Sequence, residues 1–162
     1  MPRRSKYIQS RLDEIVYNWL KDRDVKVSVS RKGVHYGEHG SHYDYQLTLK
    51  RYGKKATFLF HDSVHNFYEN KRPSLWEILH AVLNDYFFRE SEGIESWIDM
   101  LNYGYDEKEA KRVYRALERQ EEKLERLFTE GELWELDELI REGEDRGLYD
   151  IPPSKEFVIR QI

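Results

Sequence analysis

Six histidines are the side chains of this sequence best placed to exchange protons or hold a metal at neutral pH. His35, His39 and His42 lie within eight residues, and His61 and His65 follow a later strand-like run. Three imidazoles with a water, or with Asp62, would make a zinc site. Their spacing matches no metal-ligand pattern, no H-E-x-x-H pair is present, and a glycine-containing loop does not hold ligands in place. Solvated loop histidines, with no metal, are therefore the expectation.

Other routes to catalysis are closed one by one. There is no cysteine, which excludes thiol nucleophiles, cysteine metal sites and disulfides. No G-x-S-x-G elbow or phosphate-cradling glycine loop occurs. His61-Asp62 is a dipeptide of metal-dependent phosphohydrolases, but those sites need more His and Asp residues on helices. Here the pair falls at a strand end, where Asp62 or Ser63 accepts backbone hydrogen bonds. The sequence thus predicts a protein without catalytic residues or cofactor, and a histidine-dependent metal enzyme ranks last among its readings.

Charge is more informative. Residues 1–84 carry a net charge of +6 and residues 85–162 one of −10, so the total of −4 hides two unlike halves. Lys50, Arg51, Lys54 and Lys55 cluster about a turn with Tyr52 among them, and Arg31 and Lys32 lie at the end of the preceding strand. Arg3, Arg4 and Lys6 add an N-terminal arm. Four to eight such charges suffice for salt-dependent phosphate binding with little sequence reading. The competing explanation is a charged turn that keeps a sheet edge soluble. At the other end, Glu130, Glu132, Glu135, Asp137, Glu138 and Glu142 fall on consecutive turns of one helix. Such carboxylates imitate a phosphate row and would fit a basic channel in a partner; an ordinary solvated helix face is the alternative.

These groups need elements to carry them. A first helix, capped at Ser5 and running to about Lys21, has Ile8, Leu12, Ile15, Val16, Trp19 and Leu20 as its apolar stripe. Val25, Val27 and Val29 then alternate with polar residues, as do Tyr43, Tyr45, Leu47 and Leu49, predicting two strands around a loop from Gly33 to Ser41. Gly53-Lys54 turns the chain into a third strand, Lys55 to Phe60, and such short connections require antiparallel pairing. Ser74 and Glu77 form a capping box for a helix reaching about Phe88. A short helix holding Ile94, Trp97, Ile98 and Leu101 stops at Gly104. Asp106 with Glu109 opens a long helix, with Tyr105 and Ala110 closing a hydrophobic staple. Its face is Ala110, Val113, Tyr114, Leu117, Leu124, Leu127 and Phe128. Gly131 separates it from a last helix that Gly143 ends, and Phe157 onward is an edge strand or free tail.

The order predicts an α+β fold: an N-terminal helix, a three-stranded antiparallel sheet, then a helical bundle on one sheet face. One domain is expected over residues 1–150 (helix 1–23, sheet 24–62, helices 73–142), followed by a tail, 151–162. With 39% hydrophobic and 14% aromatic residues a core is feasible despite 36% charged residues. No apolar run approaches a membrane span, and Met1–Lys6 is not followed by a signal-peptide core, so a cytoplasmic protein is expected. Gln120 interrupts the long helix's seam as polar residues do in helical dimers, which makes a homodimer an open expectation. The four tryptophans fall at core spacings, and Trp134 becomes a contact candidate if exposed.

Three motifs in this order carry a resemblance: Thr57-Phe-Leu-Phe-His-Asp-Ser-Val after a basic hairpin, Pro73-Ser with a leucine-rich helix, and Tyr103-Gly-Tyr-Asp opening a helix that closes on Leu127-Phe128. Over roughly residues 24–140 the chain resembles a family of small, mostly uncharacterised proteins of bacteriophages and mobile elements. His61 stands where that pattern has a small residue and Tyr103 where it has Phe. The resemblance implies an inhibitor of a bacterial defence system acting by binding inside the host cell. Its most concrete form is an anti-CRISPR protein blocking a Cas nuclease complex, with DNA or guide RNA among its contacts. A free-standing DNA-binding accessory or regulatory protein is the second reading.

Overall fold

Ser10, not Ser5, caps the first helix, α1 (Arg11–Asp22): its side-chain oxygen accepts from the Asp13 N–H at 3.2 Å. The computed structural model describes residues 7–37, 40–62 and 73–157, with residues 34–37, 40–42 and 62 described by their backbone only; Ser5 lies outside them. Leu12, Val16, Trp19 and Leu20 are buried as the stripe predicts, and Ile8 is buried ahead of the helix. Each fully buried aliphatic side chain there contributes roughly 1.5–3 kcal/mol. Asp13 and Glu14 are buried too, which periodicity alone gives no reason to expect.

The sheet is antiparallel with strand order β1-β2-β3. It comprises β1 (Lys26–Gly37), β2 (Gly40–Arg51) and β3 (Lys54–Asp62). The expected loop from Gly33 to Ser41 is a correction: pairing continues past Gly33↔Asp44 to Gly37↔Gly40. Glycines there do not break the ladder because backbone hydrogen bonds, not side chains, hold it. The register shifts between Arg31 and Gly33, a bulge at Lys32. Leu47, Leu49, Ala56 and Phe58 face inward and are buried. Their neighbours Lys50, Lys55 and Leu59 face solvent.

Helix α2 (Leu75–Ser91) starts at the predicted Ser74/Glu77 capping box and buries Leu75, Ile78, Leu79, Val82, Leu83 and Phe87. The expected short helix is present as a 3-10 segment, Trp97–Tyr103. It buries Met100 and leaves Ile98 and Leu101 exposed, because three residues per turn rotate the apolar set off one face. Gly104 ends it at φ 85°, a left-handed position that favours glycine.

Helix α3 (Glu107–Leu127) is capped by Asp106, which accepts from the Glu109 N–H at 2.8 Å. Its apolar face serves two cores. Leu124 and Leu127 enter the main one beneath the sheet, whereas Ala110, Val113, Tyr114 and Leu117 close a second cluster with Ile94 and Met100.

Helix α4 (Glu130–Asp145) corrects two expected glycine breaks. Thr129 caps it in a reciprocal box with Glu132, leaving Gly131 inside the first turn. Gly143 is buried within the helix against Leu12 of α1, where a Cβ would overlap the leucine side chain. Residues 151–157 do not extend the sheet. Ser154 donates to the Glu14 carboxylate, and Phe157 packs edge-on to Tyr17; residues 158–162 lie outside those described. Among the described residues no helix is long and apolar enough to cross a membrane.

Candidate nucleic-acid interface

The β2–β3 turn is tight: Tyr52 at φ 57° and Gly53 at φ 72° are consecutive left-handed residues, as a type I′ hairpin requires. Asn is the economical residue at the first of these positions, and Tyr is not. Tyr52 is nonetheless there, 72% exposed.

The register decides which hairpin cations share a surface. Lys26 pairs with Lys50, and Lys50 pairs with Lys55. Three ammonium-bearing side chains therefore cross the solvent face of the sheet in a single row, with strands about 4.8 Å apart. All three are exposed, as is Lys54 at the turn. Like charges placed directly opposite one another destabilise a sheet. A row of three is a local cost that an anionic ligand would relieve. Lys26 was not among the cations singled out by spacing; its place in the row depends on pairing with a residue 24 positions away.

Arg51 behaves differently from its neighbours. It points to the opposite side, is 8% exposed and donates three hydrogen bonds: Nε to the Arg23 carbonyl at 3.0 Å, Nη1 to the Leu127 carbonyl at 2.9 Å, and Nη1 to Glu132 Oε1 at 2.9 Å. Its guanidinium also lies 5.6 Å from the Phe128 ring centre. The hydrogen bond that Arg51 donates to Glu132 raises the Arg51 pKa above its ordinary value, and the same bond holds the Glu132 carboxyl below the usual carboxylate range. Arg51 is a clamp joining the hairpin, the end of α1 and the α3–α4 junction. As a phosphate contact it is a correction.

Arg31 and Lys32 are not part of the row either. They sit mid-strand at the bulge, five or six residues along β1 from Lys26, which is about 17 Å or more in an extended chain. Arg31 lies over the Tyr43 ring at 4.4 Å. The structure does not bring these two cations to the hairpin.

The acidic helix is likewise divided by packing. Glu132 is committed to Arg51 and its cap. Glu135 accepts from Arg23 at 2.8 Å and from the Trp19 indole at 3.2 Å. Asp137 is 1% exposed and pairs with Arg141 at 2.9 Å. Glu130, Glu138 and Glu142 remain exposed, the last 3.8 Å from Arg146. A continuous row of carboxylates imitating phosphates is therefore absent from this helix, a second correction. Trp134 is 41% exposed and stacks on Phe87 with ring centres 4.1 Å apart.

His61 Nδ1 lies 2.7 Å from Asp44 Oδ1 across the β2–β3 pair, and the side chain of the adjacent Asp62 is outside those described. Among the described residues, no group of three or more His, Cys, Asp or Glu could hold a metal ion. His39 and His65 lie outside those residues, and the side chains of His35 and His42 are not described. No family model, curated protein or solved structure matches the chain.

A groove between α2 and α3 also gathers polar groups that sequence reasoning passed over. Arg89 grips Glu121 with two hydrogen bonds, at 2.7 and 2.6 Å, and reaches the Tyr114 hydroxyl. Tyr114 donates in turn to the Glu95 carbonyl at 3.0 Å. These groups satisfy one another and tie the second apolar cluster to the first, a structural role.

Proposed function

We propose that this protein acts by binding and not by catalysis, and that the lysine end of its sheet contacts the phosphates of a nucleic acid. The observation carrying this reading is the row Lys26, Lys50 and Lys55, extended by Lys54 at the turn. Three exposed ammonium groups on the outward face, with Lys54 exposed at the turn on the Arg51 side, supply the sequence-independent electrostatic part of nucleic-acid binding. In the setting implied by the resemblance to phage and mobile-element proteins, that surface would serve an inhibitor of a bacterial defence effector. A Cas nuclease complex, which holds a guide–target heteroduplex, is the most concrete target. The pairing of Glu132, Glu135 and Asp137 within the fold weighs against inhibition by phosphate mimicry.

Fluorescence anisotropy with labelled nucleic acid tests the binding step. Four phosphate contacts give a log–log salt slope of about −3.6, or roughly a 150-fold loss of affinity between 50 and 200 mM salt. Replacing Lys26, Lys50, Lys54 and Lys55 by glutamine should abolish binding without unfolding the chain. If the quadruple variant binds as the wild type does, the surface is wrongly assigned. The inhibitor setting predicts a stable complex with a purified effector and loss of target cleavage.

A further inference from the structure

Beyond the lysine row, the solvent face of the sheet has a chemistry of its own. The next row across the strands is Ser28, Thr48 and Thr57, again in register. It presents three hydroxyls about 7 Å from the lysines, two residues along each strand. Ser28 is exposed, and Thr48 and Thr57 are half-buried. The Thr48 hydroxyl accepts from Gln46 Nε2 at 3.4 Å, which leaves its own O–H to donate outward. The third row, Ser30, Gln46 and Leu59, ends the donor patch, since Leu59 is apolar and 71% exposed.

Across these three rows the outward residues include no aromatic side chain. Binding of single strands depends on aromatic platforms for unpaired bases; Tyr52 is at the turn with Arg51 4.6 Å from its ring centre, and the His61 imidazole lies beyond the third row, 2.7 Å from Asp44. The planar side chains that read a base edge through two hydrogen bonds are Arg, Asn and Gln; Gln46 is the one such side chain in the three rows. Lysines backed by hydroxyls on a broad sheet surface contact phosphates and little else.

Resting on the phosphate-binding reading above, we infer that the ligand is a nucleic-acid duplex lying flat on the exposed sheet face, with Lys26, Lys50 and Lys55 on one stretch of its backbone and Ser28, Thr48 and Thr57 on the phosphates beside it. Recognition is independent of base sequence, because both rows address the backbone. The duplex supplies a fixed phosphate array to match a fixed array of donors, whereas a single strand would lose conformational freedom on docking and gain no stacking in return.

The test uses the full chain with three probes: a 20-base-pair duplex, a scrambled duplex of equal composition, and the corresponding single strand. The duplex should bind about tenfold or more tightly than the single strand, and the two duplexes should agree within about threefold. Lys26→Gln should make the salt slope shallower by about 1. The double variant Thr48→Val and Thr57→Val keeps shape and charge, so it should weaken duplex binding by about three- to tenfold with the salt slope unchanged. Thermal unfolding at the wild-type temperature verifies that the variant is folded; Thr48→Ser with Thr57→Ser, which retains the hydroxyls, should bind as the wild type does. Equal or tighter binding of the single strand overturns the duplex assignment and leaves phosphate binding standing. An unaltered affinity in the valine variant removes the hydroxyl row. Displacement of the duplex by poly-glutamate at equal charge would reassign the face to an acidic protein. Failure of every probe to bind overturns the underlying reading itself.

Discussion

Replacing Arg51 by alanine removes a side chain that holds three separate parts of the chain together. The guanidinium donates to the carbonyls of Arg23 and Leu127 and to Glu132, at 3.0, 2.9 and 2.9 Å, from a position only 8% exposed. Hydrogen bonds from a charged donor are worth about 1.5–3 kcal/mol each when buried. Glu132 is 20% exposed, so solvent returns part of that loss at the carboxylate. The expected cost is about 3 kcal/mol, or roughly 6–12 °C in Tm for a chain of this size. Arg51→Lys keeps the charge but gathers its donors on one nitrogen that cannot reach all three acceptors, and it should lose about half as much. Urea unfolding of both variants, with Glu132→Gln and the Arg51→Ala/Glu132→Gln double variant, gives the coupling, expected at about 1 kcal/mol. Acid adds an independent check. The folded Glu132 carboxyl is held below its ordinary value, first by the Arg51 hydrogen bond. Its stabilisation is therefore complete above the unfolded-state value of 4.5 and is lost as pH falls through the lower folded one. Arg51→Ala should flatten that part of the acid limb. A variant that unfolds within about 0.5 kcal/mol of the wild type, yet shows a salt slope for nucleic acid shallower by 1, would refute the clamp and return Arg51 to the phosphate surface.

Two further outcomes follow from the core. The Asp13 carboxylate accepts from the backbone N–H groups of Gln9 and Trp76 at 2.8 and 2.9 Å, joining the starts of α1 and α2. Burial outweighs those bonds and pushes its pKa up to about 6, against 3.8 for an ordinary aspartate. Between these values the folded state holds a proton that the unfolded chain has released, so stability should rise as pH falls from 7 through 6, by about 2 kcal/mol near pH 4.5. Denaturant titrations at half-unit pH steps read this, and Asp13→Asn should remove the rise. At the α1–α4 crossing, Gly143→Ala gains helix propensity of about 1 kcal/mol but drives a methyl into Leu12, whose Cγ would lie 3.3 Å away. A net loss of about 1–2 kcal/mol is expected, partly recovered with Leu12→Val; a more stable alanine variant would show that the contact relaxes freely.

The order of elements was legible in the sequence because its signals are local. Period-two alternation marked the strands, and Ser74 with Glu77, Gly104 and Asp106 marked helix ends through bonds spanning three or four residues. Boundaries set by tertiary contact were not legible. Gly143 reads as a helix stop until α1 packs on it, and the glycines between residues 33 and 41 read as a loop until the two strands pair through them. The surface followed the same division. Alternation placed Lys50 and Lys55 on the outward face and Arg51 on the inward one, so the chain alone determined that these cations part company. It did not disclose Lys26 as their neighbour, because strand register links residues 24 apart. Nor did it disclose that Arg51 and Glu132, 81 positions apart, neutralise each other. A charge's own sequence neighbourhood determines its face, but whether it stays free for a partner depends on which distant element meets that face. For the basic hairpin and the acidic helix, only the folded chain decided it.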